Sequence, residues 1–223
     1  MCGKFTQMYS WREVVDFSQP LEATGAERVS DGNDREEAVT PMRPASVLHL
    51  NAEDVRCVTL MRWGWSKPAP AGRSERPDYI HARAETIDTR PTFRDAFAHR
   101  RSILVVRTFN EGEELPNGKT KQYVITPNDG QPVGIAAIWN VETRQDSPFY
   151  SFVMVTVNAN RLIGTITDRM PVILKHEDWR KWLGEDPASS EELKALLRPF
   201  EGDRTMRPQE KPPKPRQAPG LFR

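Results

Sequence analysis

The chain has 223 residues, 37% of them hydrophobic, and a formal net charge of +1, which fits one domain large enough for a proper core. Near-neutral charge excludes a general attraction to nucleic acid or membrane, so any such binding must come from a local patch of Arg and Lys. The only two cysteines, Cys2 and Cys57, argue against a disulfide framework and for a reducing compartment, and neither a metal site nor a cofactor is expected.

The first residues, Met1 to Gln7, contain no apolar run ahead of a cleavage site, and no stretch is long and apolar enough to span a bilayer. The expectation is a cytoplasmic monomer without membrane contact. Residues 11–18 have helical apolar spacing (Trp11, Val14, Val15, Phe17) behind Ser10, a suitable N-cap, and predict a short helix. Residues 19–37 are polar and read as a surface loop. Val47–Asn51 and Val55–Trp63 predict two strands joined by the turn-like Asn51-Ala52-Glu53-Asp54. Cys57 lies in the second strand among Val55, Val58 and Leu60, where it reads as a buried structural thiol. Ser66–Asp78, rich in Pro and charge, reads as a long loop of the kind that often carries function.

Thr92–His99 predicts a helix capped by Thr92, with Phe93, Ala96 and Phe97 on one face. Strands are expected at Ser102–Phe109, Gln122–Thr126, Val133–Trp139 and, after a polar turn at Arg144–Asp146, Phe149–Val157. Two helices are expected at His176–Leu183 and Ser189–Leu197, the second with Ser189 and Ser190 ahead of Glu191 and Glu192. The pattern is α+β, a single domain with a mainly antiparallel sheet or barrel-like core and peripheral helices. The domain is bounded at residues 2–202; the tail 203–223, with five prolines among basic residues, is expected to be extended.

Cys2 carries the most distinctive chemistry. Loss of Met1 would leave a residue with both a free α-amine (pKa ~8) and a thiol. The amine can condense with an aldehyde, and the thiol can then close on the imine carbon to give a five-membered thiazolidine. Closure is intramolecular, with effective molarities of ~10⁵ M or more for well-oriented groups, so the adduct should be long-lived.

Four separated segments occur together and in order: Met1-Cys2-Gly3-Lys4-Phe5, then Trp63-Gly64 followed by the Pro-rich loop, then Ile80-His81-Ala82-Arg83-Ala84-Glu85-Thr86, then Ile166-Thr167-Asp168-Arg169-Met170-Pro171-Val172-Ile173-Leu174. In these the chain resembles the SOS-response-associated peptidase family, also called abasic-site-processing proteins, from Cys2 to about Trp182. The resemblance implies capture of the ring-opened aldehyde of an abasic site in single-stranded DNA by Cys2. A family Asn is replaced by His81, a family His by Thr167, and the Trp that succeeds the family's third catalytic position, here Glu111, is absent.

Thr167 has no accessible titration, so proton transfer at that position is lost, and His81 is a candidate to supply it from the other side. Glu111 is the candidate carboxylate that orients the Cys2 amine or passes a proton. Lys4, Arg83 and Arg169 are candidates for gripping DNA phosphates, and Trp63, Trp65 and Phe109 for stacking on unpaired bases. Two other readings stay open: a weakened single-stranded DNA-binding relative, and an N-terminal-nucleophile peptidase acting on its own Met1.

Overall fold

A computed structural model describes residues 2–7, 17, 38–66, 75–200 and 206–210. Apart from Phe17, the helix expected at 11–18 lies outside these, as do the whole 19–37 loop and residues 67–74 of the loop expected at 66–78. Strand β1 (Lys4–Gln7) pairs antiparallel with β2 (Ala38–Val39). Next, β3 (Pro44–Leu50) and β4 (Arg56–Trp63) form a hairpin whose register runs unbroken from Pro44↔Arg62 to Leu50↔Arg56. Asn51 builds its turn: the side-chain carbonyl accepts from the backbone N–H groups of Glu53 at 3.0 Å and Val55 at 2.9 Å, and Asp54 takes φ +58°. Cys57, in β4, is half-buried and its Sγ lies 3.3 Å from His49 Nε2. Burial raises the pKa of that thiol, although Cys57 is less enclosed than the buried position its apolar neighbours predict.

The short strand β5 (His81–Arg83) precedes the helix Arg94–His99, which buries Phe97 and Ala96 as the spacing predicts. Its N-cap position is Phe93, which makes no side-chain cap; Thr92 does not serve. Four long strands come next: β6 (Arg101–Glu114), β7 (Thr120–Pro127), β8 (Val133–Arg144) and β9 (Ser147–Asn158). Two short strands add to these, β10 (Arg169–Pro171) on β9 and β11 (Ile173–Leu174) on β8. The helix Trp179–Leu183 continues a 3₁₀ turn at His176–Asp178. The helix Ser190–Leu196 begins with a reciprocal cap: Ser189 Oγ accepts from the Glu192 N–H at 3.2 Å and Glu192 Oε2 accepts from the Ser189 N–H at 2.8 Å. Finally β12 (Met206–Glu210) pairs with β7, so an ordered strand lies beyond the boundary that composition suggests at 202.

Strand pairing closes on itself. β3 pairs with β4, β4 with β9, β9 with β8, β8 with β6, and β6 with β3, giving a five-stranded barrel. All of these pairings are antiparallel except β4 with β9, which is made by Arg62↔Ser151 and Trp63↔Phe152. Residues 133–138 of β8 are buried without alternation, the sign of a strand covered on both faces. Part of the outer cover is Trp179: a Cβ on Gly134 would meet its ring at 2.4 Å, so only glycine fits there. Among the described residues, no helix is long and apolar enough to cross a membrane.

Candidate active site

The site is assembled where β1 lies along β6. Lys4 faces Asn110 and Phe5 faces Phe109, so the chain N-terminal to Lys4 runs past Glu111. Cys2 is 1% exposed and Glu111 is fully buried. The Cys2 thiol donates to the Lys4 carbonyl at 3.4 Å. Burial, reinforced by the Glu111 charge, pushes that thiol far above its ordinary range. Burial also pushes the Glu111 carboxyl up to about 7; the Asp168 charge adds to this and contact with the Cys2 backbone opposes it. A carboxyl titrating near neutrality beside a thiol can both give and take a proton under physiological conditions.

His81 reaches the same place from β5, which runs parallel to β9 with His81 opposite Met154. Its ring packs 6.1 Å from that of Trp63, and its Nε2 is buried with no hydrogen-bond partner among the described residues. Burial pushes the imidazole down to about 4, against a hydrogen bond to the Cys2 backbone that favours protonation. The positive charge of Arg169 adds to the depression. His81 is therefore neutral throughout the physiological range. An exposed imidazole would titrate near ~6.5. Enclosure removes that behaviour from His81, and the near-neutral group of the site is Glu111.

Trp63 is what joins the strands under the site. Its indole N–H donates to the Ile80 carbonyl at 2.9 Å, and its ring packs on Phe5 at 5.1 Å and Phe152 at 6.5 Å. Gly64, at φ +112°, then turns the chain so that its N–H reaches the Phe152 carbonyl at 2.8 Å. Contrary to expectation, Trp63, Trp65 and Phe109 are not placed to stack on bases. Trp63 and Phe109 are fully buried, and Trp65 is 8% exposed, packs on Phe93 at 5.4 Å and donates its indole N–H to the Ser151 carbonyl.

The three candidate cations separate as well. Arg83 ends β5 exposed, and Lys4 is half-buried on β1. Arg169 is 7% exposed and committed: it grips both Glu85 oxygens at 2.6 and 2.9 Å and donates to the Asn158 side chain and the Thr156 carbonyl, each at 2.7 Å. That pair also holds the Glu85 carboxyl below the usual carboxylate range. Arg169 thus fixes β10, β9 and the turn after β5 to one another and is not free to grip phosphate. Arg169→Ala is expected to cost about 2 kcal/mol, between the values for exposed and buried ion pairs, with urea denaturation as the check. Thr167 is half-buried, with its hydroxyl 3.5 Å from an Asp168 carboxylate oxygen. Asp168 is exposed, and its charge adds to the raised pKa of Glu111, an effect not legible in the sequence because the two residues lie far apart in the chain.

Residues 1–210 match the family described as SOS response associated peptidase (SRAP). Abasic site processing protein YoqW of Bacillus subtilis is 31% identical over 211 residues, covering 91% of this chain and 89% of its own. Abasic site processing protein YedK of Escherichia coli is 30% identical over 201 residues, covering 86% and 83%. A crystal structure of a Bordetella bronchiseptica protein shares the fold, with a TM-score of 0.74 at 21% identity over 95% of this chain and 100% of that one. Another, from Bacteroides thetaiotaomicron, gives 0.72 at 20% identity over 94% and 91%. With a family match that runs from the Cys2 end through β12, the chain belongs to the SOS response associated peptidase family.

Proposed function

We propose that the mature chain begins at Cys2 and captures abasic sites in single-stranded DNA as a covalent thiazolidine. The observation that carries this reading is a thiol at position 2 enclosed with a carboxyl whose pKa is about 7, in a chain whose relatives are named abasic site processing proteins. Hydrolysis of the Met1–Cys2 bond frees the α-amine. The amine nitrogen attacks C1′ of the ring-opened deoxyribose, the carbonyl oxygen leaves as water, and an imine forms. The thiol sulfur then bonds to C1′ while its proton passes to nitrogen, so the sum is one water lost. Glu111 carries the protons of these steps, and neutral His81 positions Cys2 through the hydrogen bond to its backbone. Two free cysteines suit a reducing, cytoplasmic setting, in which the chain acts as a monomer.

Intact mass after incubation with an abasic single-stranded oligonucleotide tests the reading. The expected species is the chain without Met1 plus the oligonucleotide less one water. Reversible binding with no such species would favour a weakened binding relative, and peptide turnover without DNA would favour a peptidase.

The pH dependence separates the two candidate proton carriers. The adduct rate of the wild type is expected to change with a midpoint near 7, that of Glu111. His81→Asn should slow the reaction by less than tenfold and leave this midpoint in place, because an imidazole at about 4 does not titrate in that window. A midpoint that vanishes in His81→Asn would assign the proton transfer to the imidazole instead. For binding, Arg83→Ala should weaken affinity for every sequence and make the log–log salt slope shallower by roughly 0.7, the share of one phosphate on a single strand. Affinity unchanged by that substitution would remove Arg83 from the interface.

A further inference from the structure

Register places one set of side chains on the inner face of the barrel. His49 of β3 faces Cys57 of β4 on one side and Ser102 of β6 on the other, while Trp139 and Val141 of β8 face Phe152 and Tyr150 of β9. Further along the same face of β4 come Met61 and Trp63, both fully buried, and Trp63 stacks on Phe152. These fill the barrel below the Cys2 site. At the other end the filling stops, and a cavity of about 720 Å³ opens, bordered by His49, Cys57, Thr59, Trp139, Val141 and Tyr150. Cys57 and Trp63 stand near opposite ends of β4, about 20 Å apart, so this cavity is separate from the Cys2 site.

The walls are apolar and aromatic. Among the described residues, Leu60 and Val141 are the exposed large hydrophobics, 43% each, and both border this cavity, as does the half-buried pair Trp139 and Tyr150, with ring centres 6.0 Å apart. Water against such a surface is favourably displaced by an apolar body. A charged ligand finds little here: no described lining residue is acidic, and the one arginine, Arg100, is bound to Asp95 at 2.5 Å. The floor is polar. His49, 5% exposed, has Nδ1 2.7 Å from the Leu50 carbonyl, which can only accept, so the ring proton sits there and Nε2 keeps a single lone pair. Two donors face that lone pair, the Thr59 hydroxyl at 2.8 Å and the Cys57 thiol at 3.3 Å. It takes one hydrogen, which leaves the other for an acceptor in the cavity. The Ser102 hydroxyl, fully buried opposite His49, likewise has no partner among the described residues.

We propose that the open end of the barrel binds an uncharged aromatic molecule carrying a hydrogen-bond acceptor, either a carbonyl oxygen or a ring nitrogen. Its ring lies against Trp139, Val141 and Tyr150, and its acceptor takes the hydrogen that His49 leaves over between Thr59 and Cys57. The cavity falls within the ~300–1,000 Å³ of small-molecule sites, which are frequent in the mouths of barrels. The partial exposure of Cys57, in a strand whose apolar neighbours predict burial, is a mark of this opening.

Coumarin and naphthalene test this on the full chain, since both are flat bicyclic molecules and only coumarin has a carbonyl. Amide and indole resonances are followed by ¹H–¹⁵N NMR during titration. Coumarin should shift the Trp139 indole and the amides of His49, Cys57 and Thr59 saturably, with a Kd on the order of 1 mM, and leave those of Cys2 and Glu111 in place. Naphthalene should bind at least about fivefold more weakly, a comparison that needs no variant. The double variant Cys57→Ala, Thr59→Val, which removes both hydrogens, should lower the affinity for coumarin to that for naphthalene. Val141→Trp, at an exposed position where a larger side chain is compatible with folding, should block both. The proposal is overturned by the absence of saturable shifts at the cavity, by shifts centred on Cys2, or by naphthalene binding as tightly as coumarin. Undiminished coumarin binding by the folded double variant would overturn it too.

Discussion

Cys2→Ala is expected to leave no DNA adduct detectable by intact mass, a loss of at least a thousandfold, while single-stranded DNA binding at moderate salt stays within threefold. The reason is that both new bonds of the proposed thiazolidine depend on this residue, whereas phosphate contacts do not. Its thiol is buried, so the substitution also removes a packed sulfur; a stability loss of about 1 kcal/mol is expected, small enough for the variant to be assayed folded. Cys2→Ser is the sharper control. It keeps the amine but closes the ring poorly, so it should form an imine that survives denaturation only after borohydride reduction. Undiminished, reduction-independent adduct from Cys2→Ala would move the chemistry to a lysine and end the proposed mechanism.

The second large effect concerns Glu111. Replacing it with glutamine keeps size and shape but removes the proton carrier, and the adduct rate should fall by ~10²-fold or more. The midpoint near 7 should disappear with it. Stability should move the other way. In the folded chain the Glu111 carboxyl keeps its proton up to about 7, while the unfolded chain gives up the same proton near ~4.3. Between these values the folded state binds more protons than the unfolded one, so the stability that Glu111 contributes falls as pH rises through that window, by ~4 kcal/mol in all. Glu111→Gln escapes this loss. Urea midpoints at pH 5 and pH 8 should show the variant gaining on the wild type toward pH 8. A constant difference between the two proteins at both pH values would mean that the site stabilises the carboxylate, and would remove the basis for a near-neutral carrier.

Much of the strand content is legible in the sequence because alternation and turn residues are local signals. Asn51 marks the first hairpin by the same hydrogen bonds that define it in the structure. Strand β6 is legible only as far as Phe109, because Glu111, Glu113 and Glu114 resemble a solvated turn. In the fold that stretch is a ladder between Phe109↔Ile125 and Glu114↔Thr120, and it is this extension that carries Glu111 under Cys2. A barrel-like core is expected, but which strands close it is not legible, since no local pattern says that Trp63 pairs with Phe152. The same limit applies to the aromatics and to Arg169. Composition says that a tryptophan can stack and that an arginine can grip phosphate, but Phe5, Phe152 and Glu85, which claim them, lie far away in sequence. The motif residues Cys2, His81 and Glu111 are brought together. Their ionisation is the part a linear pattern leaves open, because it depends on enclosure by residues from β1, β5, β6 and β10.

The pairing of β1 with β6 also sets a clock during synthesis. Lys4 leaves the ribosome first, yet its partner Asn110 lies roughly half a chain later. At about 5–20 residues per second, the nascent amino terminus waits on the order of 10 s before the strand that encloses it exists. Through that interval the Cys2 thiol stands in water with an ordinary pKa of ~8.5, open to any small aldehyde once Met1 is gone. If Met1 is removed only after β6 has closed over Cys2, the aminothiol is never offered to solution. On the proposed mechanism, that order would follow from the topology: the fold forms before its nucleophile is released, and the aminothiol reaches DNA unspent.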